Sequence, residues 1–345
     1  WVKHMPTESS TTAPKERIFG AADAQSDFDI RFRGQPIGFR NNSDVDGVAE
    51  LRTTALYRDP AAWYHVVAVW DTANGTAGNR MRLYVNGEEV TSFSTDTQPA
   101  QNEKSTWGKK NDGTDGNVAH TIGAYYNASS GFAQGFNGYM AEVHWVEGAA
   151  LAPTEFGKVD SDSGIWKPKA YTGSYGTNGF YLNFDDSSAL GADSSGNSNN
   201  WSLNNIAAAD QATDSPTNNF CTLNPLWTGN TSYVGLIQEG ATILRYSSGT
   251  KASAKGTFGV TSGKWYWEAM PHGTIGSQYL GIQTDVNFTS GTGLSQDYTM
   301  ALNTTGRYYS HSGSLSESGA GQFTNLTTSN VIGVALDLDS STQTI

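Results

Sequence analysis

Apolar and polar residues alternate at every second position through much of this chain, the period of a strand with one buried face. The pattern predicts strands over residues 27–32, 37–40, 49–51, 63–71, 81–86, 88–93, 121–124 and 136–146. Between the runs 63–71 (W-Y-H-V-V-A-V-W-D) and 81–90 lie turn residues, and Asn86-Gly87 interrupts the second run. Asn-Gly between alternating runs is a strong hairpin signal, because both turn positions need positive φ. Polar clusters at 71–75 (D-T-A-N-G) and 111–116 (N-D-G-T-D-G) read as further turns. Residues 152–156 (A-P-T-E-F) read as one short helical turn with Pro near its start.

A second stretch of strand signals follows a polar interval. Residues 263–270 (G-K-W-Y-W-E-A-M) put Trp265 and Trp267 on one face, and 279–283, 298–302, 307–310 and 330–339 continue the pattern. The interval between, 161–225, is rich in Asx, Ser and Gly, yet holds Trp166, Tyr171, Tyr175, Phe180, Tyr181, Phe184 and Trp201. That many aromatics predict a packed, ordered connector. Three parts result: 1–160, 161–225 and 226–345.

Composition agrees with an all-β chain. Of 345 residues 39 are Gly, 12 % are aromatic and only 16 % are charged, against a usual charged share of about 25 %. Ser, Thr, Asn and Gly must therefore carry much of the surface, while ten Trp supply large apolar area for cores. The net charge of −12, from 33 acidic and 21 basic residues, argues against nucleic-acid binding, which depends on Lys and Arg neutralising phosphates. The nearest basic pair, Lys109-Lys110, sits beside Asp112 and Asp115. No apolar run approaches the roughly 20 residues needed to span a bilayer, so membrane insertion is not expected. The single cysteine, Cys221, excludes an intrachain disulfide, which fits synthesis in a reducing cytoplasm. No secretory signal pattern is read at the start. Residues 1–3 look like the tail of a strand and 331–345 stop within a strand pattern, so the chain reads as a piece of something longer.

The pattern W-Y-H-V-V-A-V-W-D followed by R-L-Y-V-N-G, with 136–151 as closing strand, resembles the laminin-G-like, concanavalin A-like lectin superfamily. That resemblance implies a jelly-roll β-sandwich that binds sugars or proteins. G-K-W-Y-W-E, L-G-I and V-I-G-V-A-L-D-L-D resemble the SPRY family, a second concanavalin-like sandwich used in protein recognition, here without its last strands. The expected architecture is therefore all-β, with two concanavalin A-like sandwiches joined by an ordered aromatic-rich connector. A laminin-G-like unit, then 164–179, then 214–219 (D-S-P-T-N-N), then a SPRY-like unit resembles structural or fibre proteins of tailed bacteriophages, particularly marine ones.

Catalysis finds little support. On this sandwich a retaining glycosidase sets two carboxylates roughly 5–5.5 Å apart. In the run E-V-H-W-V-E, Glu142 and His144 share a strand face while Glu147 lies on the other, and His144 stands where an E-x-D-x-x-E pattern would have Asp. No catalytic residue is assigned. His4, His65, His120, His144, His272 and His311 show no i, i+2 or i, i+4 metal spacing, and no G-x-S-x-G elbow occurs. Calcium suits the Asp/Asn/Gly loops, whose oxygens are hard ligands, with Asp71 and Asp112 as candidate ligands; the same composition also makes plain turns. Sugar binding would use exposed loop aromatics. The candidates are Trp107, flanked by Ser105-Thr106 and Gly108-Lys109, with Tyr125, Tyr126 and Phe132.

The expectation is a non-enzymatic virion surface protein, a tail-fibre or capsid-fibre component. It would be made in a bacterial cytoplasm and partnered by other virion proteins and host surface glycans. Fibres of this kind are homo-oligomers, commonly trimers. Two alternatives stand beside it: a depolymerase of host polysaccharide, and a purely architectural virion subunit.

Overall fold

The computed structural model describes residues 1–5, 15–23, 26–43, 46–109, 118–127, 131–226, 236–238, 240–245, 254–271, 279–283, 298–303, 308–311, 315–318 and 327–340. The chain is all-β. Among the described residues every helical stretch is a three-residue 3-10 turn, and no helix is long and apolar enough to cross a membrane. Two compact units form: Trp1–Leu226 with Gln238–Ile243, and Trp227–Ile237 with Leu244–Ile345.

In the first unit the strands are β1 (Val2–His4), β2 (Lys15–Ala22), β3 (Asp27–Arg33), β4 (Ile37–Ser43), β5 (Gly47–Thr53), β6 (Trp63–Tyr64), β7 (Val66–Trp70), β8 (Met81–Val85) and β9 (Glu88–Glu89). They continue with β10 (Phe93–Thr97), β11 (Ala119–Ile122), β12 (Tyr125–Asn127), β13 (Gly131–Ala133), β14 (Gly138–Met140), β15 (Val143–Trp145), β16 (Gly157–Val159), β17 (Trp166–Pro168) and β18 (Phe180–Leu182). One layer is a six-stranded antiparallel sheet in the order β10-β5-β4-β3-β2-β11. The facing layer is assembled from shorter ladders, β14-β1-β6, β7-β8-β9 and β15-β18. Between them lies one apolar core in which Phe28, Phe32, Ile37, Phe39 and Leu51 of the large sheet meet Val2, Met81, Leu83, Val143, Phe180 and Leu182.

Three predicted strands are each divided. Residues 63–71 break at His65, whose backbone N–H donates to Asn86 Oδ1 and whose carbonyl accepts from Asn86 N–H. Residues 136–146 break at Ala141-Glu142, where Glu142 takes φ +50°. Residues 88–93 divide because Glu88–Glu89 pairs with β8 whereas β10 pairs with β5 in the other layer, so the chain crosses over between them. The Asn86-Gly87 turn has φ +52° and +87°, as the hairpin signal required. The pattern missed β2 altogether. Its register shifts between Arg17 and Phe19 against β3, and such a bulge destroys the two-residue period that alternation relies on. The helical turn expected at 152–156 is the 3-10 turn Pro153–Glu155.

The residues after 160 are built into this unit. β18 pairs with β15 (Val143↔Leu182, Trp145↔Phe180) and puts Phe180 and Leu182 into the core. Trp201 packs on Phe180, ring centroids 5.0 Å apart. Trp166 lies over the Asn86-Gly87 turn and donates its indole N–H to His65 Nδ1 at 2.9 Å.

In the second unit, Lys264–Ala269 pairs antiparallel with Ile332–Asp337, setting Trp265 opposite Leu336 and Trp267 opposite Val334. Tyr279–Gln283, Tyr298–Asn303, Tyr308–His311 and Leu315–Ser318 form a four-stranded antiparallel meander. Trp265 is 40 % exposed, and Leu336 is buried.

Candidate functional site

A groove of about 1970 Å³ opens on the first unit. Its floor includes β11, the broken strand pair β14 and β15, and β18. The β12–β13 hairpin contributes Tyr126 and Phe132, and the connector contributes Trp201, Leu203, Ile206 and Pro216. The hairpin forms because Tyr125, Tyr126 and Asn127 pair with Ala133, Phe132 and Gly131, the last with φ +76°. Across it the rings of Tyr126 and Phe132 meet at 5.0 Å, a cross-strand aromatic pair. Phe132 is 49 % exposed, and Leu203 and Ile206 are exposed as well.

Polar groups line the same groove. Asn183, Asn200, Asn204, Asn205 and Gln211 supply amides, and Glu142, Asp185 and Asp210 supply carboxylates. Glu142 Oε2 accepts the Tyr181 hydroxyl at 2.6 Å and lies 3.8 Å from His144 Nε2. His144 Nδ1 contacts the Tyr175 hydroxyl at 2.9 Å, and its ring stacks on Tyr181 at 4.2 Å. Burial lowers the His144 pKa to about 3, so the imidazole is neutral near pH 7. Burial and then the Glu142 hydrogen bond push the Tyr181 phenol upward, so it remains the donor. Glu142 and His144 lie side by side, and Glu147, which lines the same groove, accepts from Asn178 N and Nδ2.

The four aromatic candidates part company. Trp107 is a correction: it is 8 % exposed, and its indole packs on Phe19, Phe28 and Trp145 in the core. The polar neighbours that suggested exposure are satisfied locally. Ser105 Oγ caps the 3-10 turn Thr106–Gly108 by accepting from Gly108 N–H, and Thr106 N–H donates to Asn41 Oδ1, so the turn aims the ring inward. Tyr125 is half-buried with the Arg17 guanidinium 4.3 Å above its ring, a cation–π pair. Tyr126 and Phe132 are the two that reach the groove from the hairpin. The connector side, Trp201, Leu203 and Ile206, went unassigned by sequence; the signal was the aromatic and aliphatic content of an otherwise polar stretch.

Asp71 is half-buried in a turn, where its backbone N–H donates to Arg80 O at 2.7 Å and its carboxylate accepts from Asn74 Nδ2 at 3.4 Å. Asp112 lies outside the described residues. Among the described residues no group of three or more His, Cys, Asp or Glu is arranged to hold a metal ion.

Aromatic rings beside side-chain amides and carboxylates suit a sugar chain: the rings cover apolar sugar faces and the amides bridge hydroxyls. No curated protein and no solved structure matches the chain. Residues 1–155 match the Laminin_G_3 family model, described as the concanavalin A-like lectin/glucanases superfamily, and so this part of the chain is similar to a laminin-G-like, concanavalin A-like lectin domain.

Proposed function

We propose that the protein is a non-enzymatic attachment subunit on a virion surface, in a tail or capsid fibre, and that its first unit binds host glycans in the groove. The observation that carries the binding step is the cross-strand Tyr126–Phe132 pair, tilted at 59°, in one groove with an amide-lined connector on a lectin-like domain. The net charge of −12 and the groove carboxylates favour neutral glycans over polyanionic ones. The viral setting rests on the order of sequence motifs and on a chain with one cysteine, suited to assembly in a reducing cytoplasm before use outside it. In that setting the second unit is a SPRY-like module that contacts neighbouring virion proteins, and the fibre is a homo-oligomer, a trimer by analogy.

A glycan array read with calcium and with a chelator tests this. Saturable binding to neutral glycans is expected, with Phe132→Ala and Tyr126→Ala each weakening it about tenfold, since one stacking ring contributes on the order of 1 kcal/mol. Chelator-sensitive binding would assign calcium, with Asp71 and Asp112 as its first candidate ligands. No binding in either condition would leave an architectural virion subunit.

A depolymerase is the second reading, and the observation in its favour is Glu142. A non-glycine residue held at φ +50° in the groove is the kind of backbone strain that gathers at working sites. Cleavage predicts reducing ends released from a bound polysaccharide and abolished by Glu142→Gln.

A further inference from the structure

Lys3, on β1, has a fully buried side chain, and its ammonium meets three acceptors. They are Asp214 Oδ2 at 2.6 Å, Asn219 Oδ1 at 2.7 Å and the Phe220 carbonyl at 2.8 Å. The Asp214 side chain is only 5 % exposed, and its other oxygen accepts the Trp63 indole N–H at 2.8 Å. Asn219 Nδ2 donates to the Ala61 carbonyl at 2.6 Å, which fixes the amide with its carbonyl side toward the lysine. The Tyr139 ring lies 5.8 Å from Nζ. A primary amine is thus hydrogen-bonded to the carbonyl oxygen of a side-chain amide, beside a carboxylate able to carry its proton, with Trp63 and Tyr139 close by.

We infer that Lys3 and Asn219 become joined by a spontaneous isopeptide bond, with Asp214 as the proton carrier. Asp214 takes a proton from the Lys3 ammonium, and the freed lone pair of Nζ attacks Asn219 Cγ. The tetrahedral adduct collapses as the Cγ–Nδ2 bond breaks. Asp214 hands its proton to Nδ2 and takes another from Nζ. The products are a secondary amide, one ammonia and a protonated Asp214, so atoms and charge balance without an oxidant or cofactor. Fixed proximity is the driving factor, since well-aligned partners react as if at very high concentration. Asn219 is exposed on its outer side, which gives the ammonia a way out. The link would tie residues 216 positions apart in a chain whose single cysteine cannot form an intrachain disulfide, and it stands independently of glycan binding.

Mass spectrometry of the folded full chain decides it. The expected result is an intact mass lower than the sequence mass by one ammonia, with a branched peptide joining Lys3 to Asn219 after digestion. Lys3→Arg and Asp214→Asn should restore the full mass, with circular dichroism confirming that each variant is folded. Asn219→Asp should lose one water instead, because a carboxyl group condenses with the same amine. Folded wild-type protein at full sequence mass would overturn the inference and leave Lys3–Asp214 as a buried ion pair. So would loss of ammonia without the branched peptide, which is what cyclisation of an asparagine produces.

Discussion

The two faces of the six-stranded sheet are built from the same strands by opposite chemistry. Inward, Phe28, Ile30, Phe32, Phe39 and Leu51 fill the core. Outward, the intervening residues Asp27, Asp29, Arg31, Arg40 and Glu50 make a lattice of ion pairs. Cross-strand register aligns it: Asp29 faces Arg40, and Arg40 faces Glu50. Arg31 Nη1 donates to both Asp29 oxygens, at 2.5 and 2.6 Å, and Arg17 Nη1 lies 2.7 Å from the same carboxylate. Asp29 and Arg31 are as buried as the core, 0 % and 2 % exposed. The apolar face needs only shape and volume, whereas the charged face needs every partner present, because a buried charge left alone is costly. Burial therefore does not distinguish the faces, but tolerance to substitution should.

The largest effect is expected from the apolar face. Phe39→Ala should lower unfolding free energy by about 4 kcal/mol, through lost burial and the cavity left behind, as denaturant titration would read. Arg31→Ala should cost about 3 kcal/mol because Asp29 loses its bidentate partner. Adding Asp29→Ala to that variant should recover part of the loss, whereas a second truncation in the core should not; simple additivity on the charged face would erase the contrast. Acid should separate the layers. His65, between β6 and β7, and His144, on β15, both in the layer opposite the six-stranded sheet, have folded pKa values lowered to about 3 by burial, against 6.5 when exposed. Their stabilising contribution is complete above pH 6.5 and is lost as pH falls from 6.5 toward 3, about 2 kcal/mol per histidine by pH 5. Asp27, despite burial, is held below its ordinary pKa by Arg40 and Arg17 and keeps its charge over that interval. Thermal midpoints should therefore drop between pH 7 and 5, and replacing either histidine by Gln should flatten the drop. The smallest effect is Arg52→Ala at the lattice edge, about 0.5 kcal/mol and sensitive to salt.

This contrast also explains what could be read from the sequence. Alternation exposed β3, β7 and β8, because one face of each is continuously apolar, and the first half of β4, where Ile37 and Phe39 share a face before Asn41. It failed at β2, where a bulge shifts the phase, and it merged β14 with β15, because one residue at positive φ bends a strand without altering its composition. The groove was half legible. Tyr126 and Phe132 stand out as aromatics in a polar stretch, but their partners Trp201, Leu203 and Ile206 lie some seventy residues later, and only the pairing of β18 with β15 brings that segment across. Trp107 misled because local polarity was taken for exposure, when its polar neighbours were occupied in capping the turn.

The strand contributed by residues 180–182 has a consequence for how such domains can be exchanged between proteins. The region matched as lectin-like ends at residue 155, yet β15 hydrogen-bonds to β18, and Lys3 and Trp63 both reach Asp214. A gene fusion cut at 155 would strip a strand from the sheet, uncover Val143 and Trp145, and leave a buried lysine without its anion. The compact unit runs through residue 226 and takes in Gln238–Ile243 as well, so the cassette a genome could shuffle intact is longer than the one its sequence similarity outlines.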